Sequence, residues 1–326
     1  MTTTTGGWAE RRTTALLLLV VANACWGSAW AVAKIATAEL APSLLAGLRI
    51  TLATGLFWLV LFWQRSRTGN TVVAQSPASL PLTRREIVQM VGLGVAALGL
   101  SYLLIYSGLA MITASDGALM IIGEVIFTTL LAAWVARERL DRRKIGGVVL
   151  GSLGVVVLVL SGSNTSAAGG IQRLIGNVMV LAGLFVQASY SVLGAGMSRR
   201  SDPATTMAIV YSGGLIIWVP TLIWYASQGA LVAVSPTTIL SVIYLAAIPS
   251  VACNLIWFAV LHFHGASLGA VSLFVQPIIG ALLGVVLLGD PVTGGFLAGG
   301  ALILVALGLL VLEPRRSTAP ADTSVS

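Results

Sequence analysis

Apolar residues along this chain do not alternate with polar ones but gather into runs of about 17 to 25, each closed by a charge, a proline or a short polar cluster. At about 1.5 Å per helical residue, such a run matches the hydrocarbon thickness of a bilayer, which takes about 20 residues to cross. The pattern predicts ten helices, near 15–37, 43–63, 86–110, 113–136, 145–161, 174–197, 204–225, 237–261, 265–288 and 294–312. Between the third and fourth, and between the eighth and ninth, so few residues remain that each pair must form an antiparallel hairpin.

The pattern also repeats. Sliding the chain by 152 positions lays Ala114-Ser115-Asp116-Gly117-Ala118 on Ala266-Ser267-Leu268-Gly269-Ala270, and Ile121-Ile122-Gly123-Glu124 on Leu273-Phe274-Val275-Gln276. The same shift carries Leu130 and Leu131 onto Leu282 and Leu283, Glu138 onto Asp290 and Gly147 onto Gly299. Helices 3–5 therefore correspond to helices 8–10, and a shift of 161, which matches Pro42 with Pro203, extends the correspondence to helices 1–2 and 6–7. Because each copy holds an odd number of helices, the second must enter the membrane from the opposite side. The predicted fold class is thus an all-α integral membrane protein of ten transmembrane helices in two inverted five-helix repeats, a symmetry that secondary carriers use to alternate access. The repeats span 15–161 and 174–312, between tails of 1–14 and 313–326.

Composition agrees: of 326 residues 57% are hydrophobic and only 9% charged, against about a quarter charged in soluble domains, so lipid is the main solvent. The net charge of +7 would suit a polyanion, but the bases lie in short clusters between apolar runs, which argues for topology and against nucleic acid. Fifteen of the eighteen Lys and Arg fall in alternate loops and the two tails, while the opposite loops hold Arg173 alone. That bias predicts a multi-pass protein of a bacterial-type inner (plasma) membrane with both termini cytoplasmic. Arg11 and Arg12 before the apolar stretch 16–21 could open a cleaved signal, but Ala22-Asn23-Ala24-Cys25 is a poor cleavage site and the apolar run continues, so this is read as the first span. Cys25 and Cys253 lie inside apolar runs without ligand spacing, so neither a metal nor a disulfide framework is expected, and no cofactor motif is present. The tail 317–326 has the composition of a disordered segment and 64–85 that of a flexible connector.

These features resemble the EamA-type ten-helix permeases of the drug/metabolite transporter superfamily. The resemblance is carried by Trp26-Gly27-Ser28 followed by Lys34, by Leu48-Arg49, by Ala136-Arg137-Glu138-Arg139-Leu140, and in the second copy by Gln276-Pro277 and Leu288-Gly289-Asp290; it covers about 15–312. Val125 stands where the first copy often has proline, and Asp290 where glutamate is usual. The first departure predicts a fourth helix straighter than the ninth, which Pro277 would kink. The resemblance implies export or exchange of amino acids or related metabolites, driven by an ion or substrate gradient.

Glu124 is the sharpest single residue, since it falls near the middle of the fourth run, where a carboxylate costs at least about 2.5 kcal/mol and is expected to face a cavity. It suits proton coupling or amine binding; a structural carboxylate is the alternative. Gln276 sits at the matching depth of the second copy, as a ligand contact or as a hydrogen-bonding link between helices. Asn23, Trp26, Trp30 and Lys34 share one face of the first helix, a stripe too polar for lipid. Further candidates for the cavity are Gln187 and Tyr190 on the sixth helix, Tyr102 on the third and, 152 positions on, Asn254. Lys34, Arg49 and Asp116 lie within two turns of the external helix ends, where opposite charges would close an outer gate; for Lys34 and Glu39 snorkelling to the interface is the alternative. Arg49 is deeper and expected to be paired, with Glu124 if it reaches inward. Gly147-x3-Gly151 and Gly295-x3-Gly299 permit close helix packing, Trp63, Trp134 and Trp224 fit interfacial anchors, and His262 and His264 fall in the predicted turn between helices 8 and 9.

Together these point to a secondary transporter that exports small metabolites such as amino acids by alternating access. Efflux of multiple drugs or cations is the alternative within carriers, and a non-transporting receptor or scaffold the alternative outside them. No nucleophile-base pair, HExxH spacing or P-loop appears, so neither an enzyme nor a self-contained ATP-driven pump is expected. The implied partners are a small-molecule substrate, the bilayer, and a proton or counter-substrate; the oligomeric state stays open, a homodimer included.

Overall fold

A computed structural model describes residues 12–72, 82–135, 140–160, 167–194, 203–229, 234–264 and 272–311. The two chain ends, the 136–139 tract, residues 73–81 of the expected 64–85 connector and the Arg199–Arg200 pair lie outside the described residues, while 64–72 of that connector are helical. The helices are α1 (Arg12–Ala36), α2 (Pro42–Val72), α3 (Arg84–Leu109), α4 (Ala114–Val135), α5 (Arg142–Leu160), α6 (Ala167–Gly194), α7 (Pro203–Ser227), α8 (Pro236 to His264), α9 (Val275–Leu288) and α10 (Gly294–Val311). Nine of them, among the described residues, are long and apolar enough to cross a membrane. The exception, α9, has 14 residues, about 21 Å of rise: it starts after a turn at Leu273–Phe274, and 265–271 of the predicted 265–288 lie outside the described residues.

Local chemistry sets the ends. Pro42 and Pro203 open α2 and α7, where a missing N–H costs nothing. Thr83 and Glu86 form a reciprocal capping box on α3, and the Thr113 and Ser235 hydroxyls accept the Asp116 and Thr238 amides to cap α4 and α8. Gly289 closes α9 at φ 68°, a left-handed turn that favours glycine. His262 and His264, expected in a turn, instead belong to the last turn of α8: the apolar periodicity ends before the backbone hydrogen bonding does.

Three helices carry interruptions that the periodicity does not reveal. The predicted spans 86–110 and 237–261 each contain a π segment, Val95–Leu100 in α3 and Ala246–Ala252 in α8, and the 152 shift lays one on the other. In the second, Pro249 has no N–H to continue the ladder. Helix α4, expected unbroken over 113–136, splits after Leu119 and resumes at Ile122, with the Gly123 and Glu124 amides reaching back to Met120 and Ile121 at 2.8 and 3.0 Å. The Gln276 amide makes the same three-residue bond to Leu273, at 3.3 Å, as α9 begins. Contrary to the expectation of one unbroken helix, then, α4 is interrupted. It breaks without a proline, while Pro277 sits in the first turn of α9, where it displaces no helical hydrogen bond.

The main packing contacts join the two halves of the chain: α1 on α9 and α8, α6 on α3 and α4, α2 on α7, and α5 on α10. Glycines permit the close approaches. A Cβ on Gly154 would lie 3.0 Å from the Gly299 carbonyl, and one on Gly299 2.9 Å from the Gly154 carbonyl, which places the α5–α10 crossing there; Gly147 and Gly151 flank it, packed on Leu310 and Ala306. Gly27 lets α1 meet the backbone of α9 at Gln276 and Gly280. Trp63, Trp134 and Trp224 stand exposed, Trp134 by 80%, as interfacial anchors would.

Candidate functional site

Between the halves lies a cavity of about 520 Å³, lined by α1 to α4 and α6 to α9; α5 and α10 contribute none of its described lining. Its size suits a small molecule. Its charged lining residues are Arg49 and Glu124, set among the rings of Trp26, Tyr102, Tyr106, Tyr211, Trp257 and Phe258.

The π segment of α8 organises one wall. A π turn leaves carbonyls without helical partners, and side chains take them up: the Trp26 indole donates to the Pro249 carbonyl at 2.8 Å, the Asn254 amide to the Ser250 carbonyl at 2.8 Å, and the Ser250 hydroxyl to the Leu245 carbonyl at 2.9 Å. On α3, the Trp218 indole donates to the Leu98 carbonyl in the other π segment at 2.6 Å. Both irregularities are thus held by tryptophans from neighbouring helices.

Arg49 crosses from α2 to both of these helices. Its Nε donates to the Ser250 hydroxyl at 2.9 Å, an Nη1 hydrogen goes to the Tyr106 hydroxyl, and its guanidinium carbon stands 5.0 Å above the Tyr102 ring centroid. It is only 6% exposed. The pairing with Glu124 that an inward reach would allow is not made: both residues reach the cavity, but no ion pair joins them among the described residues. Glu124 and Gln276, related by the repeat, each stand in the first turn after a helix break, and both reach the cavity without a described side-chain hydrogen bond.

Of the other candidates, Trp26, Tyr102, Gln187 and Asn254 line the cavity, Gln187 accepting a 3.4 Å bond from Ser101. Asn23 does not; it is buried and donates to the Leu19 carbonyl and the Ser272 hydroxyl, linking α1 to the turn before α9. The side chain of Tyr190 lies outside the described residues. Lys34 and Asp116 do not meet each other. Lys34 donates to the Leu109, Ala110 and Ile112 carbonyls at 2.7, 3.1 and 2.6 Å, a cation capping the end of α3 where the helix dipole is negative. Asp116 is bound by Arg173 at 2.6 Å, and Asp290 accepts from the Ser115 amide and hydroxyl at 2.8 and 2.7 Å. Glu39, exposed beyond the end of α1, accepts the Ser235 amide at 2.8 Å, and that N–H, with the Ser235 and Thr238 hydroxyls, holds its carboxyl below the usual carboxylate range.

Sequence reasoning missed Tyr106, Tyr211, Ser250 and Trp257. Tyr106 lies one helical turn after Tyr102, and Ser250 follows a mid-span proline, so spacing could have found two of them.

The EamA-like transporter family matches residues 13–160 and again 174–312. Among curated relatives, a probable amino-acid metabolite efflux pump of Salmonella typhimurium is 29% identical over 86% of this chain and 89% of its own length. One of the same description from Escherichia coli is 28% identical, covering 89% and 92%. An S-adenosylmethionine/S-adenosylhomocysteine transporter of Chlamydia trachomatis is 26% identical, covering 89% and 84%. A solved protein structure superposes with a TM-score of 0.60 over 92% of this chain and 96% of that one at 19% identity, a likeness of fold.

Proposed function

We propose that this chain, which belongs to the EamA-like transporter family and is a multi-pass membrane transporter, exports small metabolites of the amino-acid class by alternating access about its central cavity. The reading places it in the inner (plasma) membrane of a bacterial-type cell with both termini cytoplasmic, following the distribution of Lys and Arg. It takes its substrate class from the relatives' names and its driving force from Glu124.

One observation carries the coupling assignment. Glu124 presents a carboxylate to the cavity, inside the bundle, with no protein cation or hydrogen-bond donor satisfying it among the described residues. Intramembrane acids in that situation serve proton relays or cation sites. Because Glu124 and Gln276 occupy matching positions just past the helix breaks, a rearrangement of either break would move the polar group next to it. A second reading, efflux of organic cations, is favoured by the same unpartnered carboxylate among aromatic rings.

Purified protein in proteoliposomes tests both. Glu124→Gln is expected to abolish accumulation of labelled amino acid driven by a pH gradient while keeping substrate counterflow, which needs no coupling ion. Gradient-driven transport by this variant with wild-type pH dependence sinks the coupling role. Uptake of tetraphenylphosphonium, with no response to any amino acid, would replace the amino-acid reading by the cationic one.

A further inference from the structure

Arg49 poses a charge problem that the protein does not solve internally. An arginine stays protonated in any protein environment, and a charged group within a membrane-spanning bundle needs a counter-charge or an aqueous cavity. Other described acids are engaged elsewhere: Asp116 with Arg173, Asp290 with Ser115 and Glu39 with Ser235. Glu124 lines the same cavity without pairing to Arg49. What surrounds the guanidinium is neutral: the Ser250 hydroxyl, the Tyr106 hydroxyl and the face of Tyr102.

The direction of these bonds leaves specific donors over. The Ser250 hydroxyl accepts from Arg49 and donates to the Leu245 carbonyl, so its proton is committed. The Tyr106 oxygen accepts from Arg49, and its own hydrogen has no described acceptor. Nη2 of Arg49 likewise has no described partner, and both residues line the cavity. Two donors, one of them cationic, therefore stand side by side at the cavity wall, fixed by packing and by the Ser250 bond. A planar anion with two oxygens takes such a pair as charge-assisted hydrogen bonds.

We propose that Arg49 and Tyr106 form a carboxylate subsite, so that a transported molecule must present a free carboxylate to this wall. The inference deepens the transporter reading given above and rests on it for the cavity's role. A carboxylate suits the site better than a phosphate dianion, because a single cation faces it and Glu124 in the same cavity, whenever it is ionised, repels a net negative ligand. With Glu124 ionised the lining is neutral in sum, which matches a ligand that is neutral in sum: a zwitterion whose ammonium group lies toward Glu124.

The test is binding, read from tryptophan fluorescence of the full-length protein in detergent, since Trp26 and Trp257 line the cavity. Each proteinogenic L-amino acid is titrated beside its carboxamide and its decarboxylated amine. At least one acid is expected to bind, with its amide and amine weaker by about tenfold or more, the worth of a hydrogen bond to a charged group. An amide or amine binding as tightly as the acid, or no acid binding at all, overturns the subsite. Arg49→Gln should erase the preference for the acid. Should that variant fail to fold, Tyr106→Phe, which keeps the ring, should narrow the acid-to-amide ratio by about threefold or more; a purely structural role would weaken acid and amide alike and leave the ratio intact. Binding with this preference but without transport in liposomes would remove the transporter reading and leave the subsite standing.

Discussion

Breaking the Asp116–Arg173 pair measures how firmly one end of the bundle is held. Arg173 of α6 donates through Nε and Nη2 to one oxygen of Asp116, at 3.2 and 2.6 Å, and also to the Leu158 and Val159 carbonyls at the end of α5, each at 3.2 Å. It thereby ties three helices together, with the two side chains only 11% and 6% exposed. Removing one partner of a buried pair costs about 3–5 kcal/mol when the other charge is stranded, but the two partners are not equivalent. After Asp116→Asn the guanidinium keeps both carbonyls and an amide oxygen, which points to a loss of about 1–2 kcal/mol. After Arg173→Gln the carboxylate is left buried without its cation, and about 3 kcal/mol is expected. The double variant, uncharged at both sites, should cost less than the sum by about 1–2 kcal/mol. Reversible unfolding in bicelles supplies the four free energies. Additivity within about 0.5 kcal/mol would refute the pairing, and Asp116→Asn costing more than Arg173→Gln would refute the role of the α5 carbonyls. Because Lys34 caps α3 instead of meeting Asp116, Lys34→Met combined with Asp116→Asn should be additive.

Two further outcomes follow from contacts already described. Gly27→Ala forces a methyl against the Gln276 carbonyl and 3.1 Å from the Gly280 nitrogen, backbone that cannot rotate aside, so it should destabilise by about 1–3 kcal/mol; Gly55→Ala, with nothing within 4 Å, should be neutral or stabilising by up to about 1 kcal/mol, and both are read in the same unfolding assay. The Glu39 carboxyl, held low by the Ser235 amide, should keep that contact wherever it is ionised and lose it only as pH falls through its lowered range. Protection of the Ser235 amide from hydrogen exchange, corrected for the intrinsic rate, is therefore expected to stay flat from about pH 5 to 8 and decline only in stronger acid, whereas Glu39→Ala should lower it throughout. Protection that already falls between pH 8 and 5 would contradict the carboxylate contact.

Much of the architecture was legible in the amino-acid order, because its causes are one-dimensional. A bilayer imposes a length on each apolar run, the loops collect Lys and Arg, and an internal repeat is a property of the string. The 152 shift placed Glu124 and Gln276 in register before any coordinates, and the structure brings both to one cavity with Trp26, Tyr102, Gln187, Asn254 and Arg49. The proline that opens α7 was visible for the same reason, as the counterpart of the one that opens α2.

Other features belong to the tertiary structure alone. The break at Met120 and the π segment at 95–100 contain no proline; in the π segment a neighbour, the Trp218 indole, offers the Leu98 carbonyl a donor outside the helical ladder. Partner choice was equally hidden. Lys34, Arg49 and Asp116 look alike from sequence as charges near helix ends, yet one caps a helix, one lies among hydroxyls and a ring, and one meets Arg173 from α6. Which of these a side chain does depends on the rotation of its helix and on what the opposing half presents, and no local pattern encodes either.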